Sequence, residues 1–144
     1  MSPVAMREAR ARWTGSLPDG EGAVTLATSG AAELGFSLDR RASDTPDGTG
    51  PEELLGAAHA ACYAMQLSAI LTFGGTPPES IDVSAQVTQG GPDVDFGITG
   101  ITLTVRAVVP GLEAAGIGEA ARQAKEQCPV GRALGGVPVE LEVL

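Results

Sequence analysis

Two cysteines, Cys62 and Cys128, are the residues whose chemistry stands out, because a thiolate is both a nucleophile and a redox group. Cys62 lies within a predicted helix over residues 51–73, where a cysteine is more often inert and needs a nearby cation to become reactive. Cys128 precedes Pro129, and proline disfavours helical geometry at the residue before it. If Pro129 begins a short helical piece, Cys128 caps it, and the helix dipole favours its thiolate; the alternative is a buried structural cysteine at a kink.

His59 lies three residues before Cys62, so the two side chains are neighbours on one helix surface. A Cys–His pair for thiol hydrolysis is one interpretation, and a histidine that bonds a nearby carbonyl or faces a small opening is the other. Sixty-five residues separate Cys62 from Cys128, so only the fold can bring the two thiols together. Two cysteines and one histidine at no recognised spacing are too few ligands for zinc, and we expect no metal.

Two pairs of charged residues flank the loop before the predicted long helix. Arg40 and Arg41 end a predicted strand, whereas Glu52 and Glu53 follow Pro51 in the first helical turn. Acidic side chains in that turn complement the positive end of the helix dipole. Taken alone, the arginines are read as a solvated strand end and the glutamates as ordinary first-turn acids.

Hydrophobic periodicity predicts six strands and three helices. The strands are expected over residues 5–13, 23–28, 36–41, 81–89, 98–109 and 137–144, and the helices over 51–73, 112–127 and 130–134. This order predicts an α+β fold with mainly antiparallel sheet, in a single domain over residues 1–144. Because helix 51–73 is apolar on most sides, we expect it to be central and buried.

The composition excludes several classes of protein. Nine Lys and Arg against eighteen Asp and Glu give the 144 residues a net charge of −9, which argues against nucleic-acid binding. A hydrophobic fraction of 43% indicates a globular chain and not a disordered one. Residues 1–12 lack the apolar run of a secretion signal, so we expect a cytoplasmic protein with reduced thiols. His59, Gln66 and Ser68 favour a buried helix over a membrane span for residues 54–73.

Several short segments together resemble the OsmC/Ohr family of thiol peroxidases (osmotically inducible protein C and organic hydroperoxide resistance protein). The segments follow the family's order from residue 13 to residue 134, and the two cysteines have the expected separation. They are Trp13-x-Gly15, Gly20-x-Gly22, Gly48-Thr49-x-Pro51-Glu52-Glu53-Leu54, Ala57-Ala58-His59-Ala60-Ala61-Cys62 with Met65, Val109-Pro110-Gly111, and Ala124-Lys125 through Cys128-Pro129-Val130. The Ala-Ala-His-Ala-Ala-Cys form is similar to the OsmC branch.

The resemblance implies roles for four residues. Cys62 is implied as the nucleophile that attacks a peroxide, and Cys128 as the thiol that resolves the product as a disulfide. Arg41 is implied as the active-site cation and Glu52 as its carboxylate partner, with Arg40 as the alternative cation. The implied activity is reduction of organic hydroperoxides to alcohols in oxidative or osmotic stress defence. The alternative is a non-catalytic small-molecule-binding protein, or a structural dimeric stress protein, of the same fold.

The resemblance also implies an OsmC-like fold and an intertwined homodimer in which both subunits contribute to each active site. It implies no metal, flavin, haem, nucleic acid or membrane, and an external dithiol or reductase protein as the reductant. The chain departs from the family where Gly50 replaces a common Asn and where Gly131 replaces a common Ser. On a straight helix Glu52 and Cys62 lie ~15 Å apart. Either the helix bends near Gly56, or its first turn folds back, or the arginine and glutamate come from a partner chain.

Overall fold

The computed structural model of the chain describes residues 3–144, which form two compact units. The first unit reaches to Pro51, and the second runs from Glu52 to Leu144. Each unit contains one three-stranded sheet, and helices accompany both. The predicted α+β class is confirmed, whereas the single-domain organisation stays a prediction.

The first unit is built on an antiparallel sheet. Its strands β1 (Arg10–Thr14), β2 (Glu21–Thr25) and β3 (Glu33–Phe36) are hydrogen-bonded in that order. Gly15 has a φ of +98° where β1 ends, a conformation that glycine adopts without steric cost. The rings of Trp13 and Phe36 pack with their centroids 5.6 Å apart. Gly22 is the register partner of both residues and leaves the room that this aromatic contact needs.

Residues 36–41 do not form the strand that their alternation predicts. β3 ends at Phe36, and the chain enters a short helix, α1 (Leu38–Ala42). The Ser37 hydroxyl accepts a hydrogen bond from the backbone N–H of Arg40 at 3.2 Å and caps this helix. A serine followed by an acid in the first turn is a helix-start signal, and it outweighs an alternation of only six residues.

The second unit is built on the long helix and a mixed sheet. Its elements are α2 (Pro51–Phe73), β4 (Ser80–Gln89), β5 (Ile98–Val108), α3 (Ala114–Gln127), α4 (Pro129–Ala133) and β6 (Val139–Val143). β4 pairs antiparallel with β5, whereas β6 pairs parallel with it. A parallel pair needs a crossover connection, and α3 and α4 supply it. The predicted bounds of the long helix, 51–73, are confirmed.

The core of the second unit is formed by α2, β5 and α3, together with the junction between α3 and α4. Its buried members come from all four segments and include both a tyrosine and a cysteine. They are Tyr63, Leu67, Leu71, Ile101, Leu103, Val105, Val109, Ala120, Ala124 and Cys128. This core therefore surrounds one of the two thiols.

Only one face of α2 is buried, which corrects the expectation of a helix buried on most sides. The buried positions recur at helical spacing and are Gly56, His59, Tyr63, Leu67 and Leu71. On other faces Met65 is 75% exposed and Phe73 is 89% exposed. By length and composition α2 also meets the criteria for a membrane-crossing helix, which core helices of soluble proteins meet as well. An exposed apolar face of this length is a candidate for contact with another molecule.

Candidate active site

The two cysteines lie side by side in the second unit, although sixty-five residues separate them in sequence. Cys62 is on α2 and is half-buried, whereas Cys128 joins α3 to α4 and is fully buried. Their side chains lie close enough to interact, so that Cys62 raises the pKa of Cys128, and both are free thiols. Contact between a half-exposed thiol and a buried one is an arrangement from which a disulfide can form.

The break between α3 and α4 positions Cys128. Its N–H donates to the carbonyl of Ala124 at 2.9 Å, and its carbonyl accepts from the N–H of Arg132 at 2.9 Å. Pro129 occupies the first position of α4, where its missing N–H breaks no helical hydrogen bond. The prediction that Cys128 caps a short helix is confirmed.

The N–H groups at this cap favour the Cys128 thiolate, as predicted, but burial outweighs their effect. Burial raises the pKa of Cys128, and the N–H groups of Gly131 and Val130, which favour the thiolate, offset only part of that effect. The interaction with the Cys62 side chain raises the pKa of Cys128 further. Cys128 is therefore a neutral thiol at neutral pH.

Tyr63 is a neighbour of Cys128 that the sequence analysis did not single out. Its hydroxyl donates to the carbonyl of Ala121 at 2.8 Å and so joins α2 to α3. Burial, and after it the electrostatic influence of Cys128, raises the pKa of Tyr63 to about 12. Tyr63 lies four residues after His59 on the helix, and that spacing was the available signal that both share the buried face.

His59 lies on the buried face of α2 and is only 1% exposed. Its Nδ1 has no hydrogen-bond partner, so the carbonyl-bonded interpretation is wrong for this atom. Its Nε2 faces Gly131, where an added Cβ would lie 3.2 Å away. Burial lowers the pKa of His59, which keeps the imidazole neutral. Within residues 3–144 no group of three or more His, Cys, Asp or Glu side chains is placed to hold a metal ion.

Arg40, the alternative cation, is engaged within the first unit. Its Nε donates to Oδ1 of Asp47 at 2.8 Å. This hydrogen bond raises the pKa of Arg40 and lowers the pKa of Asp47. The Arg40 side chain also crosses Gly35 and Gly48, where an added Cβ would lie 2.7 Å and 2.6 Å from its atoms. Arg40 therefore holds the loop that precedes α2.

Arg41 is the next residue of α1 and has different surroundings. It packs against Gly50, where an added Cβ would lie 3.3 Å from both the Cα and the Cγ of Arg41. It also lines a cavity of ≈ 300 Å³ whose other walls are mainly apolar. Those walls are Trp13, Leu17, Phe36, Ser37, Leu38 and Pro51. The glycine at position 50, a departure from the family pattern, therefore gives Arg41 room.

Glu52 lies in the first turn of α2, which is one unbroken helix from Pro51 to Phe73. The first turn does not fold back, which removes one of the three routes by which Glu52 was expected to reach the thiols. Along a straight axis Glu52 is ~15 Å from Cys62. Two explanations remain for how Glu52 could act near a thiol: α2 bends near Gly56, or Glu52 comes from a partner chain. The roles of Arg41 and Glu52 stay predictions.

Comparison with known proteins decides the family. The sequence profile described as OsmC-like protein matches residues 44–142. The chain is 37% identical over 128 residues to peroxiredoxin OsmC of Escherichia coli strain K12, and the alignment covers 89% of each protein. The chain belongs to the OsmC/Ohr family. The resemblance drawn from the short segments is therefore confirmed.

Solved structures of OsmC/Ohr proteins share the fold. Organic hydroperoxide resistance protein OhrB of Bacillus subtilis aligns with a TM-score of 0.73 at 26% identity, covering 95% of this chain and 98% of that one. An organic hydroperoxide resistance protein from Elizabethkingia anophelis aligns with a TM-score of 0.79 at 23% identity, covering 99% and 98%. The predicted OsmC-like fold is confirmed.

Proposed function

We propose that this OsmC/Ohr protein is a thiol-dependent peroxidase that reduces organic hydroperoxides to alcohols. The observation that carries the proposal is the interacting pair of half-exposed Cys62 and buried Cys128. The relative at 37% identity is named a peroxiredoxin, and the structural relative at 26% identity is named an organic hydroperoxide resistance protein. Both names support thiol chemistry on a peroxide.

In the first step the Cys62 thiolate attacks the terminal oxygen of the hydroperoxide. An S–O bond forms, the O–O bond breaks, and the departing alkoxide takes a proton to become the alcohol. The sulfur is oxidised to a sulfenic acid while the peroxide is reduced. A guanidinium beside the reacting atoms stabilises both the thiolate and the leaving oxygen. We assign that role to Arg41, with Glu52 as its carboxylate partner.

In the second step Cys128 attacks the Cys62 sulfenic acid. An S–S bond forms, the S–O bond breaks, and the hydroxyl leaves as water with the Cys128 proton. The buried position of Cys128 against Cys62 supports this role, since the second thiol is in place before oxidation. An external dithiol then reopens the disulfide by thiol–disulfide exchange, as expected in a reducing cytoplasm.

The exposed face of α2 supports assembly as a homodimer. Met65 and Phe73 lie on this uncovered apolar surface, which a second copy of the chain would remove from water. A dimer also offers a route for Glu52 to act near a thiol, because ~15 Å of helix separates it from Cys62 in its own chain. The proposed enzyme is thus a homodimer whose two chains both contribute to each site.

Thiol titration before and after one equivalent of cumene hydroperoxide tests the proposal. The reduced wild type is expected to lose two thiols per chain and to yield one alcohol per disulfide. The Cys62→Ser variant is the matched control and is expected to keep its single remaining thiol. If the wild type loses no thiol, the peroxidase proposal fails, and a binding or structural role of the same fold takes its place.

A further inference from the structure

His59 is a buried titratable group that neither proposed step uses. It is the chain's only histidine, and it is 1% exposed. Its Nδ1 has no hydrogen-bond partner. An unpartnered buried polar atom costs free energy, and most proteins avoid it. An unpartnered imidazole one helical turn from Cys62 indicates that His59 has a role beyond packing.

The imidazole of His59 and the side chain of Cys128 border the same small space. That space is the position where residue 131 would carry a Cβ if it were not glycine. The point lies 3.2 Å from Nε2 of His59 and 3.7 Å from the Cβ of Cys128. The backbone N–H of Gly131 also bonds the Cys128 sulfur. His59 and the Cys128 side chain therefore border the same space beside Gly131.

We propose that His59 accepts the proton of Cys128 as the disulfide with Cys62 forms. The inference rests on the proposed peroxidase function and deepens its second step. The Cys128 proton moves to the imidazole while the Cys128 sulfur attacks the sulfenic sulfur of Cys62. The S–S bond forms and the S–O bond breaks, and the departing hydroxide takes the proton from the imidazolium to leave as water. The Cys128 sulfur is oxidised, the sulfenic sulfur is reduced, and His59 ends unchanged.

The surroundings of Cys128 explain why a neighbouring base is useful. Cys128 is 0% exposed, so bulk water does not reach its proton. Burial raises the pKa of Cys128 and lowers the pKa of His59, so the thiol keeps its proton and the neutral imidazole has one nitrogen that can accept it. The Tyr63 hydroxyl is committed as a donor to the Ala121 carbonyl. Because the thiol binds its proton more tightly than the imidazole does, the proton moves during the attack and not before it.

Single-turnover mass spectrometry on the full-length protein tests this inference. Reduced protein is mixed with one equivalent of cumene hydroperoxide and quenched at successive times. The sulfenic acid adds about sixteen mass units and its closure to a disulfide leaves the chain about two units lighter than the thiol form. His59→Gln is expected to form the sulfenic acid at the wild-type rate and to close about 10²-fold more slowly, the lower range for lost proton transfer. Added imidazole is expected to speed closure in His59→Ala, which a purely structural role would not allow.

Two further variants separate proton transfer from packing. Gly131→Ala keeps the histidine but places a Cβ 3.2 Å from its Nε2, so it is expected to slow closure and spare the first step. Tyr63→Phe removes a buried hydrogen bond of the same helix and is expected to close at the wild-type rate.

Three results would overturn the inference. One is closure of His59→Gln and Gly131→Ala at the wild-type rate, which would show direct transfer from Cys128 to the sulfenic oxygen. Another is equal slowing in Tyr63→Phe, which would show a packing effect. A third is a wild type that forms the sulfenic acid but never the disulfide. That result would also remove the resolving role of Cys128 from the proposed function, which the first two results would leave intact.

Discussion

The pKa shifts of ionisable groups differ between the two units: they favour the charged form in the first unit and the neutral form in the second. In the first unit Arg40 and Asp47 pair near the surface, and each stabilises the charged form of the other. In the second unit Cys128, Tyr63 and His59 are buried, and burial shifts the pKa of each toward its neutral form. Burial in the second unit therefore reinforces the neutral forms, whereas ion pairing in the first unit reinforces the charged forms.

The two thiols of the second unit also differ in their burial. Cys62 is half-exposed and can meet a peroxide, whereas Cys128 is buried, protonated and out of reach of the substrate. We propose that this difference in burial separates the attacking thiol from the resolving one. The variants below test that separation and the contrast between the two units.

The largest effect is expected from Cys62→Ser. Replacing sulfur with oxygen changes little volume but removes the polarizable nucleophile, so peroxide reduction should be abolished and the fold kept. Steady-state reduction of an alkyl hydroperoxide by the variant, with circular dichroism as the folding control, measures this. Turnover at the wild-type rate would show that Cys62 is not the reacting thiol.

Cys128→Ser should stop the cycle at its second step. The Cys62 sulfenic acid then has no internal thiol to intercept it and either persists or climbs to sulfinic acid in excess peroxide. Intact-mass spectrometry after one equivalent of peroxide should show a gain of about sixteen mass units. A product in which two chains are joined by a disulfide, about two units below twice the chain mass, would place the resolving thiol outside this chain.

The two adjacent arginines should differ in their effect on the first step. Arg41→Ala removes the assigned cation and is expected to slow Cys62 oxidation by about 10²-fold, the cost of losing one stabilising donor. Arg40→Ala should leave that rate nearly unchanged, because Arg40 is engaged by Asp47. Single-turnover oxidation and iodoacetamide alkylation of both variants measure the difference. If only Arg40→Ala slows the oxidation of Cys62, then Arg40 and not Arg41 is the active-site cation. If neither variant slows it, neither arginine has this role.

Tyr63→Phe should have a moderate effect on stability. The change removes the buried 2.8 Å hydrogen bond to the Ala121 carbonyl, which joins α2 to α3. The expected loss is about 1 kcal/mol in the free energy of unfolding. Urea denaturation at neutral pH measures it. An unchanged midpoint would mean that this bond adds nothing to the buried site.

The smallest expected effect is a pH dependence that comes from His59. Its folded-state pKa lies below the ordinary 6.5, so the unfolded chain binds the proton more tightly. The His59 contribution to stability is therefore complete above pH 6.5 and is lost as the pH falls below that value. The wild type should lose more stability than His59→Gln between about pH 7.5 and about pH 5. Equal losses would mean that the imidazole titrates alike in both states.

The sequence predicts much of the second unit because its elements have strong local signals. Pro51 begins the long helix and Gly74 follows its last residue, so the bounds 51–73 are found directly. The other elements of this unit lie within two residues of their predicted bounds. In the first unit β1 begins five residues later than predicted, and the Ser37 cap turns a predicted strand end into α1.

Properties that depend on tertiary contacts could not be predicted in the same way. The motif order identifies the family, and the fold brings Cys62 to Cys128. The cap position of Cys128 was found from Pro129, but burial reverses the expected effect on its pKa, and burial is set by distant segments. The one-sided burial of α2 likewise depends on what packs against it and not on its own composition.

The most direct test of the account is a non-reducing peptide map of the wild type after one equivalent of cumene hydroperoxide. We expect a single cross-linked product that joins the Cys62 peptide to the Cys128 peptide within one chain. Denaturing electrophoresis without reductant should accordingly show only single chains. An oxidised Cys62 peptide together with a free Cys128 thiol would contradict the account, and so would a disulfide that links two chains.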